Sequence, residues 1–263
     1  MNARPTVSTR AVFCALLLRD VRVARRELRW FLVRTLMQPI LFLVVFGYLL
    51  PKMGFVRGNY TTALLPGILG VSMALSALQS VALPLVQDFG YTREIEDRLL
   101  APVPTALLAI EKVVAGSIQG VLAAAGVLPI ARLVMGPIAD LSFASLGTIS
   151  LTTLLGATTF ASFGLLLGTI IQPQQMGLLF SIIVAPMMMF GCAYYPWQGL
   201  AAAPAFQYGV LINPLVYVSE AMRGALTPQA PHMPLWASCG AAIAMTALFL
   251  GLGTRGFARR AFS

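Results

Sequence analysis

The stretch from Leu64 to Val86, LLPGILGVSMALSALQSVALPLV, contains no charged side chain and is apolar along its whole length. A helix that crosses the hydrocarbon core of a bilayer needs about 20 mostly apolar residues, and this stretch is long enough. Its apolar residues are continuous and do not alternate with polar ones, which favours a helix over a strand of a membrane barrel. The stretch therefore predicts a membrane-spanning helix.

Apolar stretches of this kind recur from end to end of the chain. The 263 residues are 58% hydrophobic and 10% charged, whereas a soluble domain has about 45–50% apolar and about 25% charged residues. Mean hydropathy is +0.83. No polar stretch is long enough to enclose a core of its own, so residues 1–263 are predicted to form a single transmembrane domain.

Six spans are predicted, and the fold class is therefore an all-α integral membrane protein. The segment of residues 199–226, between spans five and six, is apolar but interrupted by Pro204 and Pro214. Its helical pieces are too short to span a bilayer and are typical of re-entrant helices. The predicted spans cover residues 31–50, 64–86, 113–135, 141–171, 177–194 and 235–252.

The basic residues predict the orientation of these spans. Of eighteen Lys and Arg residues, eight precede or open span one, three lie between spans two and three, and three follow span six. With six spans, all fourteen are on one side of the membrane. The positive-inside rule then makes both termini and the loop of residues 87–112 cytoplasmic. The net charge of +9 fits anionic lipid headgroups better than nucleic acid.

Residues 10–30, before span one, have the pattern of an amphipathic helix. Leu17, Val21 and Leu28 belong to an apolar stripe, and four arginines lie on another face at spacings of three and four. Such a helix lies in the membrane interface, although a simple topology anchor is the alternative. The arginines are Arg19, Arg22, Arg26 and Arg29.

No motif for catalysis, cofactor binding or metal binding is found. The chain has no GxxxxGK[ST] phosphate loop, its three cysteines are far apart, and His232 is its single histidine. No carboxylate lies in the middle of a predicted span, so no ion-coupling site is visible. Glu220 and Arg223, at i and i+3, are interpreted as a structural pair. The energy for any transport is therefore expected to come from a separate protein.

A charged segment, REIEDRLLAP, separates spans two and three. Five charges in the bilayer would cost about 2.5–3.5 kcal/mol each, so the segment lies in water. Ile95, Leu99 and Leu100 recur at helical spacing, which predicts a short helix within residues 91–104 that docks to a soluble partner; a solvated turn is the alternative. The predicted docking residues are Arg93, Glu94, Ile95, Glu96, Asp97, Arg98, Leu99, Leu100 and Pro102.

Three stretches together resemble the type 2 family of ABC transporter permeases, the membrane subunits of polysaccharide, glycolipid and drug exporters. They are REIEDRLLAPVPTALLAIEKVVAG (residues 93–116), FGCAYYPWQGL (190–200) and INPLVYVSEAMRG (212–224). The first is similar to the family's cytoplasmic segment that leads into span three. The other two are similar to its closing signature.

The resemblance implies two permease subunits, expected to be identical, and two ATPase subunits that bind ATP and Mg²⁺. Residues 91–104 would be the coupling helix, and a path for an amphipathic substrate would open between the two permeases in a bacterial inner membrane. The substrate would be a lipid-linked saccharide, a glycolipid or a hydrophobic drug. An ATPase-independent carrier or channel subunit and a scaffold membrane protein are the alternatives. The expected gate and substrate-path residues are Tyr194, Tyr195, Trp197, Asn213, Pro214, Tyr217, Glu220 and Arg223.

Overall fold

The structure is a computed structural model that describes residues 39–54, 60–92, 104–135 and 143–261, and six single positions nearer the N-terminus. The described residues are almost all helical and include no strand. This confirms the all-α class over that part of the chain. The single positions are Leu18, Arg19, Arg22, Val33, Leu36 and Met37.

The helices are numbered α1 to α8 in chain order. They are α1 (Pro39–Lys52), α2 (Tyr60–Gln87), α3 (Thr105–Met135), α4 (Phe143–Ile170), α5 (Pro173–Met189), α6 (Pro204–Gly209), α7 (Pro214–Leu226) and α8 (Leu235–Ala261). Residues Leu43–Leu49 of α1 and Leu179–Val184 of α5 are π-helical. A further π-helical turn, Asp88–Thr92, continues α2, and a 3₁₀ helix, Trp197–Ala202, precedes α6. Prolines open α5, α6 and α7, because a fixed φ suits the first helical turn and its missing N–H is not needed there.

Helices α2, α3, α4 and α8 are long and apolar enough to cross a membrane. They correspond to predicted spans two, three, four and six. Predicted span one overlaps α1 and predicted span five overlaps α5, and both of these are shorter apolar helices in the described part of the chain. Four of the six predicted spans are therefore found as helices of spanning length.

Two helices extend beyond the predicted spans. Helix α3 begins at Thr105 rather than residue 113, so Glu111 and Lys112 are helical and do not belong to the loop. Helix α8 continues past residue 252 to Ala261 and carries three arginines in its last turns. Hydropathy marks only the apolar part of a helix, whereas backbone hydrogen bonds continue through polar residues. Glu111 is buried, which the loop assignment did not predict.

Helix α2 lies at the centre of the bundle and packs on α3, α4 and α7. Small residues allow the close contacts. A Cβ on Gly120 of α3 would lie 2.9 Å from the Cβ of Ala77, and one on Gly164 of α4 would lie 2.6 Å from the carbonyl oxygen of Leu78. Gly120 of α3 and Gly164 of α4 therefore pack against α2 within the chain.

Some predicted elements lie outside the described residues. The docking segment from Arg93 to Pro102 is among them, and so are Arg26 and Arg29 of the predicted interface helix. Arg19 and Arg22 are described and have helical backbone.

Candidate functional site

Helix α7 carries the candidate site, and Asn213 fixes where this helix begins. The Asn213 side-chain oxygen accepts a hydrogen bond from the backbone N–H of Leu215 at 2.9 Å, and the Asn213 Nδ2 donates to the carbonyl oxygen of Met187 at 2.7 Å. The first bond is an N-cap, which satisfies a backbone donor that has no partner within the helix. The second ties the start of α7 to the end of α5.

Glu220 and Arg223 form a fully buried ion pair on α7, and each side chain is 0% exposed. Glu220 Oε1 accepts hydrogen bonds from Arg223 Nη1 and, at 2.9 Å, from the backbone N–H of Trp197. Glu220 Oε2 accepts from the backbone N–H of Met233 at 2.7 Å. Arg223 Nη2 donates to the carbonyl oxygen of Cys192 at 3.0 Å. These five residues are called the ion-pair cluster.

The backbone conformation at Cys192 directs its carbonyl oxygen toward Arg223. Cys192 has a φ of 51°, in the left-handed region that costs a non-glycine residue about 1–2 kcal/mol. The neighbouring Ala193 carbonyl lies against α2, where a Cβ on Gly67 would be only 1.6 Å from it. Glycine at position 67 therefore lets the chain pass close enough to α2 for Cys192 to reach Arg223.

The ion-pair cluster holds four chain segments together, and the buried polar atoms of its two charged side chains are hydrogen-bonded except for Arg223 Nε. A buried charge is tolerated only when it is paired and hydrogen-bonded, and breaking one partner of such a pair costs about 3–5 kcal/mol. Both Glu220 oxygens and two Arg223 nitrogens are engaged by protein groups. The cluster is therefore suited to fixing the geometry of α7 and its neighbours. This agrees with the structural interpretation of the pair in the sequence.

The predicted aromatic residues of this region do not form a single surface. Tyr194 packs inward, with its ring centroid 5.0 Å from that of Phe42 on α1. Trp197 donates its indole N–H to the carbonyl oxygen of Gln207 at 2.9 Å, and Tyr195 donates its hydroxyl to the carbonyl oxygen of Met189 at 3.2 Å. Tyr217 is half-buried on α7. Each ring has its own neighbours, so they do not form a stacking platform for a sugar.

An apolar cavity of about 390 Å³ lies beside the start of α7. Its side-chain polar group is the Asn213 amide, whose oxygen and nitrogen are already engaged by Leu215 and Met187. A cavity without a free polar group offers contact area but no directional recognition. The lining residues are Phe163, Ile182, Ile183, Pro186, Met187, Phe190, Phe206, Gly209, Val210, Ile212, Asn213 and Pro214.

The sequence did not predict Cys192 or Met233 as site residues, and it named Trp197 for its side chain. All three join the ion-pair cluster through backbone atoms, and a side chain gives no signal of that role. Among the described residues, no group of three or more His, Cys, Asp and Glu side chains is placed to hold a metal ion.

Residues 11–227 match the model of the ABC-2 type transporter family. This match covers most of the chain, so the protein belongs to that family. The family comprises membrane permease subunits of ABC transporters, which work with an ABC ATPase subunit. The predicted resemblance to type 2 permeases is thereby confirmed.

Curated relatives agree with this assignment. The chain is 29% identical over 202 residues to the inner membrane transport permease YadH of Escherichia coli strain K12. The alignment covers 73% of this chain and 75% of the relative. The YadH protein of Shigella flexneri matches to the same extent.

Proposed function

We infer that this chain is the membrane subunit of an ATP-driven exporter of an amphipathic substrate. The observation that carries this inference is the family match over residues 11–227, which includes the charged segment and the Glu220–Arg223 ion pair. Two copies of this chain would assemble with two ABC ATPase subunits, which bind ATP and Mg²⁺. The chain itself would form the path through a bacterial inner membrane.

The distribution of basic residues supports an orientation with both termini in the cytoplasm. Arg260, near the end of α8, contacts the Phe89 ring at the end of α2. The basic end of α8 and the Asp88–Thr92 turn, which precedes the charged segment in the sequence, therefore lie at the same end of the bundle. Helix α7 and the start of α8 lie at the opposite end, which would face outward, with α6 and α7 as the re-entrant gate.

The charged segment between α2 and α3 is the proposed contact with the ATPase. It carries five charges within six residues, Arg93 to Arg98, and such a segment remains in water. Opposite charges on a soluble partner could pair with it at the membrane surface. This contact would transmit the ATPase cycle to the helices on either side.

Charge reversal tests this contact. In the complex with its ATPase, Glu94→Arg or Arg98→Glu is expected to leave membrane insertion intact while lowering ATP-driven transport by about tenfold or more. Arg132→Glu is the matched control, because Arg132 is an exposed cation near the opposite end of α3. Unchanged transport in both loop variants would overturn the docking role. Transport by the chain without any ATPase would overturn the proposed function itself.

The apolar cavity supports an amphipathic or lipid-linked substrate. Its volume of about 390 Å³ is in the range of about 300–1,000 Å³ that small-molecule sites occupy. Its apolar lining suits a hydrocarbon chain or an aromatic drug, while a polar headgroup would stay outside. The cavity lies between α5 and the proposed gate, so its occupant would be beside the path.

A substitution that fills the cavity tests this use. Gly209 lines the cavity and has no atom within 4 Å of a Cβ placed on it, so Gly209→Phe can insert a ring without a clash at Cβ. Gly240→Phe, in equally open space on α8, is the matched control. We expect only the first variant to reduce ATP-driven export of a fluorescent phospholipid and of a lipophilic cationic dye. Reduction of one probe alone would identify the substrate class, and equal export in both variants would contradict the cavity's role.

A further inference from the structure

At the end of the bundle opposite the ion-pair cluster, Arg260 of α8 closes the end of α4. Its Nη1 lies 3.0 Å from the carbonyl oxygen of Ile171 and 3.2 Å from those of Gly168 and Thr169. The last carbonyls of a helix have no partner within it, so a cation from another helix is a favourable cap. Arg260 and the groups that it contacts are called the arginine junction.

The arginine junction also includes the π-helical end of α2. The Arg260 guanidinium carbon lies 4.9 Å from the centroid of the Phe89 ring. The Phe89 ring meets Phe257, one turn before Arg260, edge to face at 5.6 Å. Phe89 is therefore held between two side chains of α8. Asp88–Thr92 is the turn that carries Phe89, and the charged segment begins at the next residue, Arg93.

Close backbone contacts surround the junction. A Cβ on Gly90 would lie 2.0 Å from the Cγ of Pro173, the first residue of α5. A Cβ on Gly256 would lie 2.6 Å from the Thr169 hydroxyl. Ends of α2, α4, α5 and α8 thus converge on one point, and α5 leads from there to Met187, which Asn213 binds at the other end.

The three arginines of the last turns of α8 differ in their surroundings. Arg255 and Arg259 are exposed, whereas Arg260 is half-buried and reaches across to α4. A topology signal requires only charge near the membrane surface. The inward position of Arg260 is therefore not explained by the positive-inside rule.

We propose that Arg260 is a positioning residue for coupling: it holds the π-helical end of α2 against the end of α4, so that a displacement of the charged segment moves α4 and α5. The proposal rests on the proposed function, because it assumes that an ATPase moves that segment. Coupling between distant sites requires an element with two arrangements. The π-helical turn holds about one more residue per turn than an α-helix, and a change of its register would supply the second arrangement.

Arginine is the side chain that this role requires. Its planar guanidinium can donate to carbonyls along its edge while its face lies on an aromatic ring. A lysine in its place keeps the charge but offers a point contact and stacks less well. A glutamine keeps neither the charge nor the planar cation.

The test uses the assembled transporter in lipid nanodiscs, with labelling of a cysteine at position 212 as the readout. Ile212 is 86% exposed beside the proposed gate, and Ile212→Cys is made together with Cys14→Ala and Cys239→Ala. ATP is expected to change the rate of maleimide labelling in the parent protein. Arg260→Gln should lower this ATP-dependent change by about fivefold or more while ATP hydrolysis stays within about twofold of the parent. Arg260→Lys should restore part of it.

Two further variants make the outcome decisive. Arg259→Gln, an exposed neighbour on the same turn, is expected to behave like the parent. Phe89→Leu keeps an apolar side chain but removes the ring face, so it should also weaken the ATP-dependent change in labelling rate. This variant decides the outcome if Arg260→Gln fails to assemble. If Arg260→Gln assembles and its labelling rate responds to ATP as in the parent, the proposal is overturned. If only Phe89→Leu assembles, the same response in that variant overturns it. If the parent transporter itself shows no binding of an ATPase, the proposed function has failed instead.

Discussion

Both ends of the helical bundle are held by an arginine that reaches backbone carbonyls of another element, but the two arginines are held differently. Arg223 is 0% exposed and is neutralised by Glu220. Arg260 is half-buried and combines carbonyls with the face of Phe89. A buried ion pair has one favourable arrangement, whereas carbonyl and ring contacts near the surface can be exchanged at small cost. We therefore expect the ion-pair cluster to be rigid and the arginine junction to be adjustable.

The largest effect should come from breaking the ion pair. Glu220→Gln keeps the shape but leaves the buried Arg223 uncompensated, so we expect the free energy of unfolding in detergent to fall by about 3–5 kcal/mol. The double variant Glu220→Gln/Arg223→Met should be less destabilised than the single variant, because no buried charge remains unpaired. Arg132→Gln, which removes an exposed cation, should change stability by less than about 0.5 kcal/mol. A double variant that is less stable than the single variant would contradict the account of the cluster as a charge pair.

A second comparison uses a glycine near each end of the bundle. Gly67→Ala places a Cβ 1.6 Å from the Ala193 carbonyl oxygen, a backbone atom, whereas Gly90→Ala places one 2.0 Å from a carbon of the Pro173 ring. We expect Gly67→Ala to cost about 1–3 kcal/mol and Gly90→Ala to cost less, since a backbone contact cannot relax alone. Thermal unfolding of both variants measures the difference. Gly240→Ala, with open space around it, is the control and should be as stable as the parent or slightly more stable.

Loss of the α7 cap should have a smaller effect. Asn213→Ala removes the bond to the Leu215 N–H and leaves the Met187 carbonyl without its donor. Removal of an N-cap costs about 0.5–2 kcal/mol. Asn213→Asp keeps the acceptor for Leu215 but loses the donor for Met187. Its stability should therefore lie between that of the parent and that of Asn213→Ala. Equal stability of the parent and Asn213→Ala in chemical unfolding would show that the cap does not stabilise this end.

The smallest effect on stability is expected at the arginine junction. Phe89→Leu removes the ring beneath the Arg260 guanidinium but keeps apolar volume, and such a cation–π contact contributes about 0.5–1 kcal/mol at partly exposed sites. The unfolding free energy should therefore fall by about 1 kcal/mol, while hydrogen exchange of residues 88–92 rises. A loss as large as that of Glu220→Gln would mean that the junction is as rigid as the ion-pair cluster.

The sequence determined the features that depend on composition and local pattern. Apolar runs identified four helices of spanning length, prolines marked the starts of α6 and α7, and the spacing of Glu220 and Arg223 indicated their pairing. Periodicity and breaker residues act within a few positions of the chain, so they can be recognised without the fold. The resemblance that identified the family likewise depended on the order of short stretches.

Only the tertiary structure decided which distant groups meet. The carbonyl oxygen of Cys192 accepts a hydrogen bond from Arg223, and that of Ile171 accepts one from Arg260. The backbone N–H groups of Trp197 and Met233 donate to Glu220. Every residue offers the same backbone groups, so their use leaves no mark in the sequence. The ends of α3 and α8 were also decided by helix continuation through charged residues, which hydropathy does not detect. Helix packing brings these groups together, and packing depends on all the helices at once.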